Sequence, residues 1–144
     1  MQLVRIMSTH RNTNIALIGC GRWGRNIARI CASLGVLNYV VDHSPEKAAE
    51  FAQTFSTQAT VFSTVCEDES VHGVMISASA QAHEQLAVEA LGAGKHVFVE
   101  KPMSLNLASA KSMNRAALKA NRQLMIGHLK VQHLFVFLVL KINF

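Results

Sequence analysis

Cysteine is scarce in this chain of 144 residues, and the three present, Cys20, Cys31 and Cys66, have neither an even count nor metal-ligand spacing. A disulfide framework and a zinc site are therefore not expected, and a reducing, cytoplasmic setting is. Dense charge is also missing. Fourteen basic residues against nine acidic ones give a formal charge of +5, but Lys and Arg are scattered from Arg5 to Arg122 and beyond without a run. That pattern describes a solvated surface and gives no reason to expect a nucleic-acid partner. The first dozen residues carry no apolar stretch of the kind a secretion signal needs. The longest strictly apolar run, Leu134 to Leu140, covers about a third of a membrane-spanning helix, so no membrane partner is expected. Repeats, low-complexity segments and linkers are absent as well.

What remains is one domain's worth of apolar residues in two alternating periods. Ile15 to Ile18 reads as a strand buried on both faces, and after a glycine cluster Ile27, Ile30, Cys31 and Leu34 fall at helical spacing before Gly35 stops them. Leu37 to Val41 is the next strand. Ser44 can then cap a helix with Pro45 at its first position and Ala48, Phe51, Ala52 and Phe55 as its apolar stripe. Val61-Phe62 reads as a weak strand and Ser63 to Glu69 as a short helical turn. Val74 to Ile76, Val97 to Val99 and Leu124 to Ile126 read as further strands, separated by a helix from His83 to Leu91 and a longer one capped by Ser104 and reaching about Ala120. Such alternation predicts an α/β fold of the Rossmann type, a doubly wound parallel sheet in a single domain.

The turn Gly19-Cys20-Gly21-Arg22-Trp23-Gly24 sits between the first strand and the first helix. Alone, GxGxxG is a weak signal, because glycines gather at tight turns for steric reasons. In this position it predicts dinucleotide binding: the helix N-terminus offers free N–H groups to a pyrophosphate, Gly19 permits the turn, Gly21 the approach of the phosphate and Gly24 the close packing of helix on strand. Cys20 fills a small side-chain slot within it. Asp42 ends the second strand 18 residues after Gly24, where a carboxylate can accept hydrogen bonds from the adenosine ribose and repel a 2′-phosphate. NAD is favoured over NADP on that basis, with His43 partly offsetting the repulsion when protonated. A second stretch, Glu100-Lys101-Pro102, follows a buried strand at its carboxyl end, where open α/β sheets bind ligands.

Together with "VHGVMISASAQAHEQLAVEALGAGKHVFVEKP", these motifs resemble the glucose-fructose oxidoreductase and inositol dehydrogenase family, Gfo/Idh/MocA, over roughly residues 14–128. The resemblance implies an NAD(P)-dependent oxidoreductase of sugars, nucleotide sugars or polyols. It implies that Lys101 is catalytic, hydrogen-bonding the reacting hydroxyl or taking part in its proton transfer, while Glu100 and Pro102 hold the loop. A lysine in that role benefits from a lowered pKa. The expected cofactor-binding residues are Gly19, Gly21, Arg22, Trp23, Gly24, Asp42, His83, Glu100, Lys101 and Pro102, with no metal ligand. For His83 a capping or packing role competes with a place beside the cofactor, and for Trp23 packing around the first helix competes with stacking near it. His128 resembles the start of a Gly-His-Leu-Leu stretch in members acting on nucleotide sugars.

Two departures stand against these matches. Ala78-Ser79 replaces the Thr-Pro that members commonly carry after the fourth strand. After His128 the family continues into a substrate-binding second domain, whereas here residues 129–144 form a divergent apolar tail in which His133 reads as a remnant of a Tyr-His-Pro-like run. The expected organisation is a basic extension over 1–13, the dinucleotide-binding domain over 14–128 and this tail. The substrate half is expected to be missing. The function expected is that of a cofactor domain inactive alone; the competing reading is a non-catalytic dinucleotide-binding module or a degenerate truncated product. Binding of S-adenosylmethionine at the glycine turn is disfavoured, since it gives no reason for Glu100-Lys101-Pro102.

Overall fold

The structure, a computed structural model, describes residues 13–127. Six parallel strands form one sheet: β1 (Asn14–Ile18), β2 (Leu37–Val41), β3 (Gln58–Ala59), β4 (Val71–Ile76), β5 (His96–Glu100) and β6 (Leu124–Gly127). The helices between them are α1 (Arg22–Ser33), α2 (Pro45–Phe55), α3 (Phe62–Glu67), α4 (His83–Gly92) and α5 (Leu107–Ala120). The spatial order is β3-β2-β1-β4-β5-β6. The chain thus winds outward from β1 in one direction and from β4 in the other, and the two paths part at the carboxyl ends of those neighbours. That switch point is where a crevice opens in doubly wound sheets.

Both faces of the sheet are covered because both strand faces are apolar. Alternate residues of the central strands face opposite ways. Ile15, Leu17, Val40, Met75 and Phe98 pack with Ile27, Ala28 and Cys31 of α1 and Phe51 of α2. Ala16, Ile18, Val74, Ile76, Val97 and Val99 pack with Val65 of α3, Ala87 and Leu91 of α4 and Met113 of α5. Full burial of each large side chain among these is worth about 1.5–3 kcal/mol. Small residues set the helix spacing: Ala28, Ala87 and Ala90 are each at 0% exposure, so the helix backbones lie close to the sheet.

Local departures from the expected boundaries have identifiable causes. The third strand is Gln58–Ala59 rather than Val61-Phe62. Val61 is the N-cap of α3 and Phe62 its first residue, so the apolar pair marks the exit from the strand. The α5 cap is Asn106, whose side chain accepts from Ser109 N–H at 2.8 Å. Ser104 instead donates its hydroxyl to the Asn106 carbonyl. Leu34 follows the last turn of α1 and is 44% exposed, and the buried stripe of that helix is Gly24, Ile27, Ala28 and Cys31. Among the described residues no helix is long and apolar enough to cross a membrane, and no three His, Cys, Asp or Glu side chains gather as a metal site.

Candidate functional site

At the switch point lies a cleft of about 570 Å³. Its floor is the glycine turn, and its walls are the ends of β2 and β4 with the residues that follow them. Gly19 opens the turn with φ +103°, the left-handed region that side chains disfavour. A Cβ there would also stand 2.7 Å from the Ala78 nitrogen, so the turn and the β4 exit are packed backbone on backbone. Gly24 is tighter: its Cβ would fall on the Gly19 carbonyl oxygen and 2.9 Å from Ser77 Oγ. That hydroxyl donates to the Gly19 carbonyl at 2.8 Å and fixes it.

Gly21 is different. It is the N-cap of α1 in extended conformation, no side chain caps the helix, and a Cβ would meet nothing within 4 Å. The first-turn N–H groups of a helix have no intrahelical acceptor, and here no acid stands in that turn to take them up. An uncapped helix end with its positive dipole, fronted by open space at a glycine, fits a phosphate group.

Asp42 forms the side of the cleft, and it is held inward. Its Oδ2 accepts from Cys20 N–H at 2.7 Å, and its Oδ1 accepts from Ser44 N–H at 2.9 Å and stands 3.1 Å from His43 Nδ1. Burial alone would raise the carboxyl, yet the two backbone donors, with His43 and Lys47 nearby, hold it below the usual carboxylate range. The carboxylate therefore braces the glycine turn as well as lining the cleft. A carboxylate offers about four acceptor positions, so capacity is left for a ribose hydroxyl. Cys20, 5% exposed, does fill a small slot; burial first, and then the Asp42 charge, pushes its thiol up to about 12.

The remaining expected residues do not line this cleft. Arg22 and Trp23 occupy the first turn of α1 at the surface, with Trp23 55% exposed. His83 is buried at 1%. Its Nε2 lies 2.9 Å from the Ala78 carbonyl oxygen and its Nδ1 lies 3.0 Å from that of Pro102 and 3.3 Å from that of Met103. The imidazole thus spans from the cleft wall to the loop after β5. Glu100 is 8% exposed at the end of β5, and its Oε2 accepts from Lys101 N–H at 3.2 Å. Gly127 of β6 makes room for it, since a Cβ there would come within 3.2 Å of that oxygen. Lys101 is exposed, and the Lys101-Pro102 peptide bond is cis. His128 and His133 lie outside the described residues.

Lys47, Val61 and Phe62 line the cleft without having been anticipated there, as do Ile18, Val41, Ser77, Ala82 and Leu86 from the strand ends and the start of α4. Reading Val61-Phe62 as a strand hid their position beyond the end of β3. Ala78-Ser79, flagged as a departure, also lines the wall, and the fold around it is intact.

Comparison with known proteins agrees with this architecture. The chain is 32% identical over 126 residues to UDP-N-acetylglucosamine 3-dehydrogenase of Acidithiobacillus ferrooxidans, covering 86% of this chain and 39% of that one. Among solved structures it is similar to GenD2 from gentamicin A biosynthesis in complex with NAD, at TM-score 0.77 and 26% identity over 81% of this chain and 34% of that one. It is equally similar to biliverdin reductase of Synechocystis sp. PCC 6803 in complex with biliverdin and NADP+, at TM-score 0.76 and 26% identity over 81% and 38%. The chain spans roughly a third of the length of the curated relatives it matches. Residues 13–128 match the Gfo/Idh/MocA family, described as an oxidoreductase family with an NAD-binding Rossmann fold, and the chain belongs to that family.

Proposed function

We propose that this chain is the dinucleotide-binding half of an oxidoreductase that oxidises a hydroxyl of a sugar or nucleotide sugar, with NAD preferred over NADP. The observation that carries the reading is the uncapped N-terminus of α1 behind Gly21, with Asp42 at the neighbouring strand end. Gly19, Gly21 and Gly24 form the phosphate cradle, Arg22 and Trp23 flank it in the first turn, and Asp42 receives the ribose. Bound there, the nicotinamide supplies a hydride acceptor. Lys101, at the end of β5, holds the proton of the reacting hydroxyl, with Glu100 and Pro102 fixing the loop beneath it and His83 behind that loop. The domain runs over 14–128, between a basic extension and the apolar tail. The sugar class is supported by the Acidithiobacillus relative, a UDP-N-acetylglucosamine 3-dehydrogenase.

Calorimetric titration of the folded chain with NAD tests the reading. Binding is expected, and a folded sample that takes up neither NAD nor NADP refutes it. The chemistry demands more than binding. Placing a substrate carbon about 3–3.5 Å from the acceptor accounts for roughly 7–11 kcal/mol of such a barrier, which one lysine on an exposed loop cannot supply. A polypeptide of these 144 residues alone is accordingly expected to leave NAD unreduced.

A further inference from the structure

Two imidazoles stand at the amino end of the sheet, opposite the cleft. His72 is the second residue of β4 and His96 the first of β5. The two strands pair in parallel, with Gly73 opposite His96. The pairing of β4 with β1 slips at the same place: Asn14 stands opposite Val71 and Ile15 opposite Gly73, so His72 is the extra residue of a bulge, a feature that re-aims a side chain. Its Nδ1 accepts the N–H of Asn14, the first residue of β1, at 3.2 Å. His96 repeats the arrangement one strand further on, its Nδ1 accepting the N–H of Gln123, just ahead of β6, at 3.1 Å.

A ring nitrogen that accepts an N–H carries no proton, so each bond requires a neutral imidazole with its proton on Nε2. Protonation sets a donor against a donor, and the bond is lost. Imidazole is the side chain whose charge ordinarily changes between pH 5 and 8. The charges acting on His96 are those of Arg122, from the link between α5 and β6, and of His72, and both, with burial, oppose its protonation. Lys95, next to His96, donates its ammonium to the Asp68 carbonyl at 2.6 Å. The turn into β4 carries Asp68 and Glu69. Asp68 accepts from the Tyr39 hydroxyl and from Ser70 N–H, each at 2.9 Å. Glu69 is exposed, and its charge attracts a protonated His72 without restoring the acceptor that the Asn14 N–H loses.

We propose that His72 and His96 form an acid-released latch on the amino end of the sheet: neutral, they tie the start of β1 to β4 and the entry of β6 to β5, and in acid both ties open. The inference is independent of the dinucleotide reading. β1 carries the glycine turn at its other end, so the latch makes the anchoring of that strand conditional on pH.

The test is amide hydrogen exchange at Asn14 and Gln123 in the full chain between pH 5 and 8, corrected for the intrinsic pH dependence of exchange, beside the nitrogen-15 shifts of the two imidazoles. Both Nδ1 atoms are expected to be unprotonated at pH 8. Protection of both amides is expected to fall about 2- to 10-fold as the rings take up protons, the loss of one ordinary hydrogen bond each. A variant carrying H72N and H96N offers Oδ1 atoms as acceptors that do not titrate, and its protection is expected to persist to pH 5. H72F and H96F remove the acceptors and are expected to lower protection at every pH, with circular dichroism establishing that each variant is folded. Protection in wild type that stays constant while the imidazoles titrate overturns the latch, as does a proton on either Nδ1 at pH 8 or wild-type protection in the folded phenylalanine variants.

Discussion

Replacing Gly21 with alanine separates the binding function of the glycine turn from its structural function. The backbone at Gly21 is extended, at φ −89° and ψ −167°, which alanine adopts without strain. Its Cβ would meet no atom within 4 Å. Alanine is a poorer N-cap than glycine by a few tenths of a kcal/mol or more, and loss of unfolded-state freedom returns about 0.4–1 kcal/mol. Stability should therefore move by no more than about 0.5 kcal/mol. The methyl group would occupy the space through which a phosphate approaches the N–H groups of Arg22, Trp23 and Gly24. A hydrogen bond to a charged group is worth about 1.5–3 kcal/mol, so losing one raises the dissociation constant for NAD roughly 10- to 150-fold. Gly24→Ala is the contrast. Its Cβ coincides with the Gly19 carbonyl, so backbone must move, at a cost of about 1–3 kcal/mol or more. Urea unfolding and calorimetric titration read the two quantities. A Gly21→Ala chain that binds NAD as tightly as wild type would refute the placement of the phosphates at this helix end.

Three further outcomes are expected. Asp42→Ala should lose about 1–3 kcal/mol in urea unfolding, because the Cys20 and Ser44 N–H groups lose their acceptor, and should shift the NAD to NADP affinity ratio toward NADP; an unchanged ratio would place the ribose elsewhere. Under native alkylation followed by mass spectrometry, Cys66, half-buried, should react ahead of Cys20 and Cys31, whose thiols are buried and pushed further up; faster labelling of Cys20 would contradict its slot under the turn. Burial, then Arg122 and His72, lower the His96 pKa from 6.5 in the folded chain. The unfolded state therefore takes up the proton first, so the stability that His96 contributes is present above about pH 6.5 and lost as pH falls below it. Thermal melts of wild type and His96→Asn between pH 5 and 8 should show that slope flattened in the variant.

The strand and helix order was legible because each element carries one dominant signal. Ile15 to Ile18 and Val74 to Ile76 are apolar without alternation, as burial on both faces demands, and Ser44-Pro45 names a helix start by two independent constraints. The errors fall where signals compete. At residues 58–62 the two-residue strand is too short to show a period, and the apolar pair that follows it belongs to a helix cap and a cleft wall. At residues 104–106 two residues able to cap stand two positions apart, and only the backbone turn decides which one does. Within the site, Gly19, Gly21, Gly24 and Asp42 were legible because steric necessity ties glycine to the turn and the motif's spacing puts an acid at the next strand end. Lys47 was not legible. Its place depends on how α2 leaves the sheet, and one lysine in a helix's first turn has no distinguishing pattern.

The imidazole of His83 has a consequence for how the two loops can vary. A flexible side chain bridging the Ala78 carbonyl to those of Pro102 and Met103 would let the gap between the loops drift with temperature or with substitutions around it. A ring has fixed dimensions, and this one is sealed from solvent at 1% exposure. The spacing between the cleft wall and the turn bearing Lys101 is thus dictated by the width of a five-membered ring. The three carbonyls that meet the ring are main-chain groups, so the histidine acts as a gauge block between the two loops beyond the paired strands β4 and β5.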